Sequence, residues 1–481
     1  MMQKASSDRV WPYVLPFPLD SEKRRLIWNV LQSRVGSKIL EEMNVDGQTY
    51  QHDLIEKLPY SNKSIIKYLK KMVKADILEQ DMEVNTEKER TVWVKWYKST
   101  SLGKWLILFL KPPTEVSPDV TKTIIEELFH LYSSSIVEAC QKYDMDVDSF
   151  HKDLDKQYLL EFAKKQTRTI PEVAVFGSAA IDIYGSLSQL PASDEVVYVQ
   201  EIGRYPGGMG ANVAVALAKL DVSVSFFGRI GSDSAGRILL ESLSKNNVDL
   251  SNISIVNASS LHTLILNDNQ KHRWLFTIGS PQSAISLASP EEFNWKLLDH
   301  CKIVYIGEVF TELASSIADY AKTRNKTVIY RPGIPYMKTG IEKLQRTLEH
   351  TTLFILNQTS WKQLQAASEE KMENPADLLE HEVENVLLTK GPEGCEIFSA
   401  NRHQTFSVPP HLRSTFKPID PTGAGDGFSA GLIKSLLQGW NLEKAVSYGQ
   451  AVAAITCSRI GSSNAFPTEE EVKAAIDFDQ Q

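Results

Sequence analysis

The run D-P-T-G-A-G-D from Asp420 to Asp426 constrains this chain more than any other stretch, because it sets two carboxylates around a glycine-rich turn that opens into an apolar helix over 428–437. Glycine tolerates the sharp backbone such a turn needs, so Gly423, Ala424 and Gly425 can bring N–H groups close to an anion. The helix behind them points its positive end at the same spot. A carboxylate at the mouth of such an anion hole, here Asp426, is placed to take a proton from a hydroxyl while the amides stabilise charge on a transferring phosphoryl group. The same residues also describe an ordinary strand, glycine turn and helix capped by an aspartate.

A second glycine cluster changes that balance. The run G-G-M-G-A-N-V-A-V-A-L-A over 207–218 opens another small-residue helix, and by itself it only loosely imitates a dinucleotide fingerprint. The two clusters in this order and at this separation resemble the paired signatures of the ribokinase-like (PfkB-type) sugar and nucleoside kinases. The resemblance runs from Pro171 onward and implies a three-layer α/β/α domain with an eight- to nine-stranded, largely parallel sheet. It implies a small β lid over 184–206. It also implies roles residue by residue. Asp182, at the end of V-A-V-F-G-S-A-A-I-D, would bind acceptor hydroxyls, as would Gly207, Gly208 and Asn212. Asn357, together with Thr389, Gly391 and Gly394 of the run L-L-T-K-G-P-E-G, would hold ATP. Asp420 would help hold a monovalent cation, K⁺, and the loop Gly461, Ser462, Ser463 would close the adenine and cation sites. ATP would be the co-substrate, and Mg²⁺ would bridge its phosphates.

Three positions depart from the family pattern. Where Asn-x-x-Glu is usual, the chain reads Asn357, Gln358, Thr359, Ser360, so a hydroxyl replaces the carboxylate that organises Mg²⁺, and a weaker metal site is expected. Arg331 ends the strand 327–330; it either faces the ligand crevice and pairs with a phosphate or carboxylate of the substrate, or is a surface charge. Met209 replaces a polar residue in the first glycine cluster. No Gly-x-x-x-x-Gly-Lys-Ser/Thr run occurs, so a P-loop is not supported.

A kinase domain of this type needs about 300 residues, and the 481-residue chain leaves room for one small domain and a connector. Helix-period apolar residues run over 21–43 with a break near Gly36; a short helix follows over 50–58, closed by Pro59, and another starts at Ser61 or Asn62. Two strand-like runs, 77–84 and 91–98, flank a charged tip at 85–90. Two short helices, a tight turn and a hairpin read as a winged helix-turn-helix, and this part resembles archaeal and bacterial winged-helix transcriptional regulators. The helix over 61–74 carries Lys63, Lys67, Lys70, Lys71 and Lys74 with no acidic residue, and is expected to bury Ile66, Leu69 and Val73. Ser61, Asn62, Lys63, Lys67, Lys70 and Lys71 are the candidate contacts to double-stranded DNA. A protein-binding helical domain and a merely solvated lysine face remain the alternatives.

Residues 1–110 are thus read as the DNA-binding domain, 111–170 as a helical connector and 171–481 as the kinase domain. In the connector, Ile124, Ile125, Leu128, Leu131, Ile136 and Val137 recur at helical spacing, then 154–163 forms another helix. It can pack on either domain or pair with its twin, and a homodimer is expected because winged-helix operators are commonly two-fold. The net charge of −8 neither supports nor opposes DNA binding, which depends on a local basic patch. The four cysteines are scattered, with no metal or disulfide spacing. With no signal peptide and no apolar run of membrane-crossing length in the sequence, a cytoplasmic protein with no membrane partner is expected. Two functions fit: phosphoryl transfer to a sugar or nucleoside hydroxyl coupled to DNA binding, or a transcriptional regulator whose kinase-like domain senses a small molecule with little turnover.

Overall fold

The structure, a computed structural model, describes residues 21–87, 90–111, 116–144, 146–165, 170–268, 272–310, 312–400, 404–408 and 417–476. The chain divides into two compact units, Met1–Ser149 and Phe150–Gln481.

The first unit runs α1 (Ser21–Leu31), α2 (Arg34–Glu42), β1 (Gln48–Tyr50), α3 (Gln51–Lys57), α4 (Asn62–Lys74), β2 (Leu78–Glu87), β3 (Arg90–Ser99), α5 (Ser101–Leu110) and α6 (Pro118–Tyr143). The break between the first two helices falls at Gln32 and Ser33, not at Gly36. Ser33 caps α2 by accepting from the Gly36 N–H, which places Gly36 inside the helix. Ser61 caps α4 in the same way through the Ser64 N–H, 3.3 Å away. The buried face of α4 is Ile65, Leu69 and Met72, rotated from the expected Ile66, Leu69 and Val73, because Ile66 and Val73 lie at the edge of the core. Strands β1, β3 and β2 form an antiparallel sheet in that order. The β2–β3 ladder runs out to Glu87 opposite Arg90, so most of the expected charged tip joins the strands and the turn itself lies outside the described residues. The apolar run at 105–110 belongs to α5, where Trp105, Leu106, Ile107 and Leu108 are buried in the core of this unit. On α6, Ile124 is buried while Ile125, Phe129 and Val137 are exposed; the Leu131 side chain lies outside what is described.

Helix α7 (Val147–Lys165) leads into the second unit, where its Leu159 and Ala163 enter the core. There follow β4 (Val173–Phe176), β5 (Ala180–Leu187), β6 (Gln200–Gly207), α8 (Met209–Lys219), β7 (Val224–Gly231), α9 (Ser234–Lys245), β8 (Asp249–Val256), β9 (Leu261–Asp268) and β10 (Arg273–Ile278). The remainder is β11 (Ile303–Ile306), α10 (Glu312–Lys322), β12 (Thr327–Tyr330), α11 (Ile334–Met337), α12 (Ile341–Leu348), β13 (Leu353–Asn357), α13 (Gln358–Ala367), β14 (Asn385–Thr389), β15 (Cys395–Ser399), β16 (Gln404–Val408), α14 (Ala424–Leu437), α15 (Leu442–Cys457) and α16 (Glu469–Ala475).

Nine strands form one sheet in the order β16-β15-β14-β13-β12-β11-β4-β7-β8, parallel except for the β14–β15 and β15–β16 pairs. Its central strands β4, β11 and β12 are short and apolar on both faces, as a sheet covered on both sides requires. In β4, Val173 and Val175 enter one core while Ala174 and Phe176 enter the other; in β11, Ile303 and Tyr305 divide from Val304 and Ile306 in the same way. Helices α8, α9, α14 and α15 close the first core, and α10, α12 and α13 the second. A separate four-stranded sheet, β10-β9-β5-β6, forms a lid. It is larger than the expected 184–206 segment, because β9 pairs onto β5 from far downstream and β10 pairs in turn onto β9.

Two glycines bring α8 against the end of β4. A Cβ on Gly210 would lie 2.5 Å from the Gly177 Cα, so neither position has room for a side chain. Gly210→Ala must therefore lift α8 off the sheet. The expected result is a destabilisation of the second unit by about 1–3 kcal/mol in chemical denaturation, with the first unit unaffected.

Candidate active site

The turn after Asp420 folds as its glycines predict. Gly423, with φ of 79°, caps α14, and Asp426 stands in the first helical turn rather than at the cap. Asp426 is buried. Its Oδ2 accepts from Asn212 Nδ2 at 2.9 Å and its Oδ1 from Arg331 Nη1 at 2.8 Å. Asn212 comes from the first turns of α8, whose cap is Gly208. Two helix N-termini from opposite halves of the sequence thus converge at the carboxyl ends of the parallel strands, where open α/β sheets hold their ligands.

Asp182 lies on β5 of the lid sheet, not at the end of the first strand of the main sheet as expected. The strand β4 stops at Phe176, and the chain turns through Gly177 and Ser178 before pairing with β6. Gly207 packs directly on the Asp182 carboxylate, leaving no room for a side chain, and Ser462 donates to Asp182 Oδ2 at 3.1 Å. Asp420 holds the same C-terminal loop: its Oδ1 accepts from the Thr422 N–H and hydroxyl, and its Oδ2 from the Gly461 N–H at 3.1 Å. The Asp420 carboxylate, engaged at both oxygens, therefore bridges two loops.

Asn357, Thr389, Gly391 and Gly394 gather two strands away. Asn357 ends β13 and caps α13, accepting the Ser360 N–H at 2.7 Å, while the Ser360 side chain is buried. The Thr389 hydroxyl donates to the Leu356 carbonyl, and Gly391 and Gly394, both at positive φ, shape the turn between β14 and β15. No cluster of three His, Cys, Asp or Glu side chains able to hold a metal occurs among the described residues.

Three residues of this site were not singled out as site residues by the sequence, or were left open. Glu308 follows β11, is half-buried, and accepts from the Ser178 hydroxyl, which in turn accepts the Met209 N–H at 3.1 Å. Its position just past a parallel strand was the available signal. Arg273 of β10 donates to the Thr422 hydroxyl at 2.9 Å, a contact with no local sequence signature. Arg331 is not a surface charge, since its side chain is 17% exposed.

Burial shifts the charges around Asp426. It pushes the Asp182 carboxyl up to about 7, against the Ser462 hydrogen bond and with the help of Asp426. It also raises Glu308 and Asp426, the latter against the opposing pull of Arg331 and Asn212. Burial disfavours the Arg331 charge, but Tyr305 and Asp426 more than restore it.

Residues 171–469 match the family described as pfkB family carbohydrate kinase. The chain belongs to that family. It is a phosphotransferase with a hydroxyl acceptor. Among curated relatives of this pfkB chain, an ATP-dependent ribose-1-phosphate kinase of Halopiger xanaduensis is 26% identical over 300 residues, covering 61% of this chain and 94% of that protein. A probable chloroplastic fructokinase-6 of Arabidopsis thaliana is 28% identical over 330 residues, covering 64% and 83% respectively. The pfkB region shares the fold of the Methanocaldococcus jannaschii nucleoside kinase, an archaeal member of the ribokinase family, with a TM-score of 0.55, 24% identity and coverage of 63% of this chain and 96% of that one. It likewise matches an Arabidopsis thaliana ribokinase solved with ribose and ATP, with a TM-score of 0.53, 22% identity and coverage of 63% and 98%.

The raised Asp182 yields a test with a definite sign. A carboxyl held above its ordinary 3.8 favours the fold when protonated, so that contribution is full below pH about 4 and is lost as pH rises through about 7. Asp182→Asn cannot ionise. It should melt several degrees above wild type at about pH 8, the gap closing toward pH 4; a gap independent of pH would contradict the assignment.

Proposed function

We propose that this protein uses ATP to phosphorylate a hydroxyl of a sugar or nucleoside, and that its N-terminal unit is a winged helix-turn-helix domain that binds duplex DNA. The observation that carries the kinase part is the convergence of Asp182, Asn212 and Asp426 on the N-terminus of α14. In this reading Asp426 is the general base and the amides of Gly423, Ala424 and Gly425 form the anion hole. Asp182, Glu308, Asn212 and the backbone of Gly207 and Gly208 hold the acceptor; the buried Asn212 Oδ1 has no partner among the described residues and is positioned to accept from a hydroxyl. Asn357, Thr389, Gly391 and Gly394 hold ATP, and Arg273 adds positive charge beside the anion hole.

Mg²⁺ would neutralise phosphate charge. With serine at 360 and Asp426 already engaged, the protein offers it few anionic oxygens, so phosphates and water would supply most of its ligands, with Asn357 and Ser360 near them. K⁺ fits less directly, because both oxygens of Asp420 accept hydrogen bonds from the protein; backbone carbonyls of the 420–422 and 461–463 loops would have to hold it. The acceptor hydroxyl attacks the terminal phosphorus while its proton passes to Asp426.

A sensor with little turnover is the second reading, favoured by the Arg331–Asp426 ion pair and by Ser360. ADP release over a panel of sugars, sugar phosphates, inositols and nucleosides separates the two. The kinase requires acceptor-dependent turnover that Asp426→Asn lowers by about 10²–10⁴-fold. Ligand-dependent melting shifts without turnover would establish the sensor instead.

For the N-terminal unit, Lys63, Lys67 and Lys70 are exposed and spaced four and three apart on the face of α4 opposite Ile65, Leu69 and Met72, beside Ser61 and Asn62. That stripe supports a groove-facing helix. Lys71 lies over the Tyr68 ring and Lys74 pairs with Glu22 at 2.7 Å, so these two contribute less. Ile125, Phe129 and Val137 of α6 provide an apolar stripe for a homodimer. Availability of both ATP and DNA points to the cytoplasm. Replacing Lys63, Lys67 and Lys70 by alanine should weaken binding to any duplex and flatten the log–log salt dependence by about one unit per lysine in fluorescence anisotropy. Unchanged affinity would remove the DNA assignment.

A further inference from the structure

Arg331 is a charged group at the centre of this site that neither the acceptor nor the nucleotide assignment uses. It follows β12, and the sheet order gives that position meaning. The nucleotide-side residues Thr389 and Asn357 end β14 and β13, while the acceptor-side residues Glu308 and Ser178 follow β11 and β4. Strand β12 lies between the two groups, so Arg331 stands where the phosphoryl group must cross.

Its contacts point the same way. Nη1 lies 2.8 Å from Asp426 Oδ1, and Nη2 rests against Gly425, where a Cβ would come within 2.1 Å of it. Gly425 belongs to the first turn of α14, the wall of the anion hole. One guanidinium therefore touches both the base and the seat of the phosphoryl group. The acceptor side already holds three carboxyl groups, the buried Asp182 and Asp426 and the half-buried Glu308, which disfavours a further anion there. An anion that Arg331 can meet favourably lies on the helix side. Position 360, meanwhile, lacks the carboxylate that would recruit a metal to that phosphate.

We propose that Arg331 exchanges partners during the reaction: without nucleotide it neutralises Asp426, and with a nucleoside triphosphate seated at α14 it moves onto the terminal phosphoryl group, releasing Asp426 to act as the base. The inference rests on the kinase reading given above. In the step, the acceptor O–H gives its proton to Asp426 as its oxygen bonds to the terminal phosphorus. The bond from that phosphorus to the bridging oxygen breaks, and the diphosphate leaves with the electron pair. Arg331 transfers no proton; it offsets the charge on the moving group. Coupling the base to nucleotide occupancy in this way keeps Asp426 neutralised while only the acceptor is bound.

The test compares wild type, Arg331→Met and Arg331→Lys in the full chain, using calorimetry with ADP and with a non-hydrolysable ATP analogue, and steady-state kinetics with the acceptor found in the panel. Arg331→Met should weaken the analogue by about tenfold or more while leaving ADP within about twofold, and lower kcat by about 10²-fold. Arg331→Lys keeps the charge but not the planar fork and should recover part of both losses. Equal weakening of ADP and analogue would reduce Arg331 to a structural role. A normal kcat with a raised KM for the acceptor would assign it to the acceptor instead. Either result overturns the proposal. Should the methionine variant fail to fold, the lysine variant decides by the same ADP-to-analogue contrast. An active wild type with an unimpaired Arg331→Met sinks this inference alone, whereas a wild type without turnover, indistinguishable from Asp426→Asn, sinks the kinase reading beneath it.

Discussion

The contact between Gly177 and Gly210 governs much of the second unit, because it lets a helix N-terminus approach the end of a parallel strand without any side chain between them. From that approach follow the position of Asn212, its hydrogen bond to Asp426, and so the meeting of α8 with α14. A methyl group at either glycine would hold the two halves of the site apart. The helix dipoles then reinforce each other at one point, where neither alone would hold an anion strongly.

The charge cluster around that point is costly in the ligand-free protein. Three carboxyl groups, Asp182 and Asp426 buried and Glu308 half-buried, sit with one guanidinium, and desolvation raises all three toward protonation. Such an arrangement gives little to stability, since desolvation offsets much of the attraction within a buried ion pair. Its retention is better explained by chemistry: groups kept short of partners in the empty site gain them when hydroxyls and phosphates arrive. Asn212 Oδ1, buried without a partner among the described residues, is the clearest instance.

Much of this was legible in the residues. The glycine turns, the helices they open and the apolar strands between them announce themselves through local rules, since glycine and short-range periodicity act within a few residues. The α4 cap at Ser61 was readable for the same reason. What escaped was long-range. The lid needed β9, which pairs onto β5 from far downstream, and β10 beyond it, and Asp182 proved to ride on that sheet rather than on the main one. The buried face of α4 was misplaced by one residue, because periodicity alone does not say which flank of an apolar stripe meets the core. Arg331 could be read either as a ligand contact or as a surface charge until its packing against Gly425 was known.

The placement of Asp182 on β5 has a kinetic corollary. In the main sheet it would be a fixed fixture; on β5 it belongs to the separate four-stranded sheet and would travel with any motion of that sheet over the pocket. Under the proposed reading, grasping the acceptor and excluding bulk water then become a single event. A molecule lacking the hydroxyl that Asp182 holds would leave the door ajar, and futile hydrolysis would be restrained by mechanics rather than by the intrinsic reactivity of the groups involved.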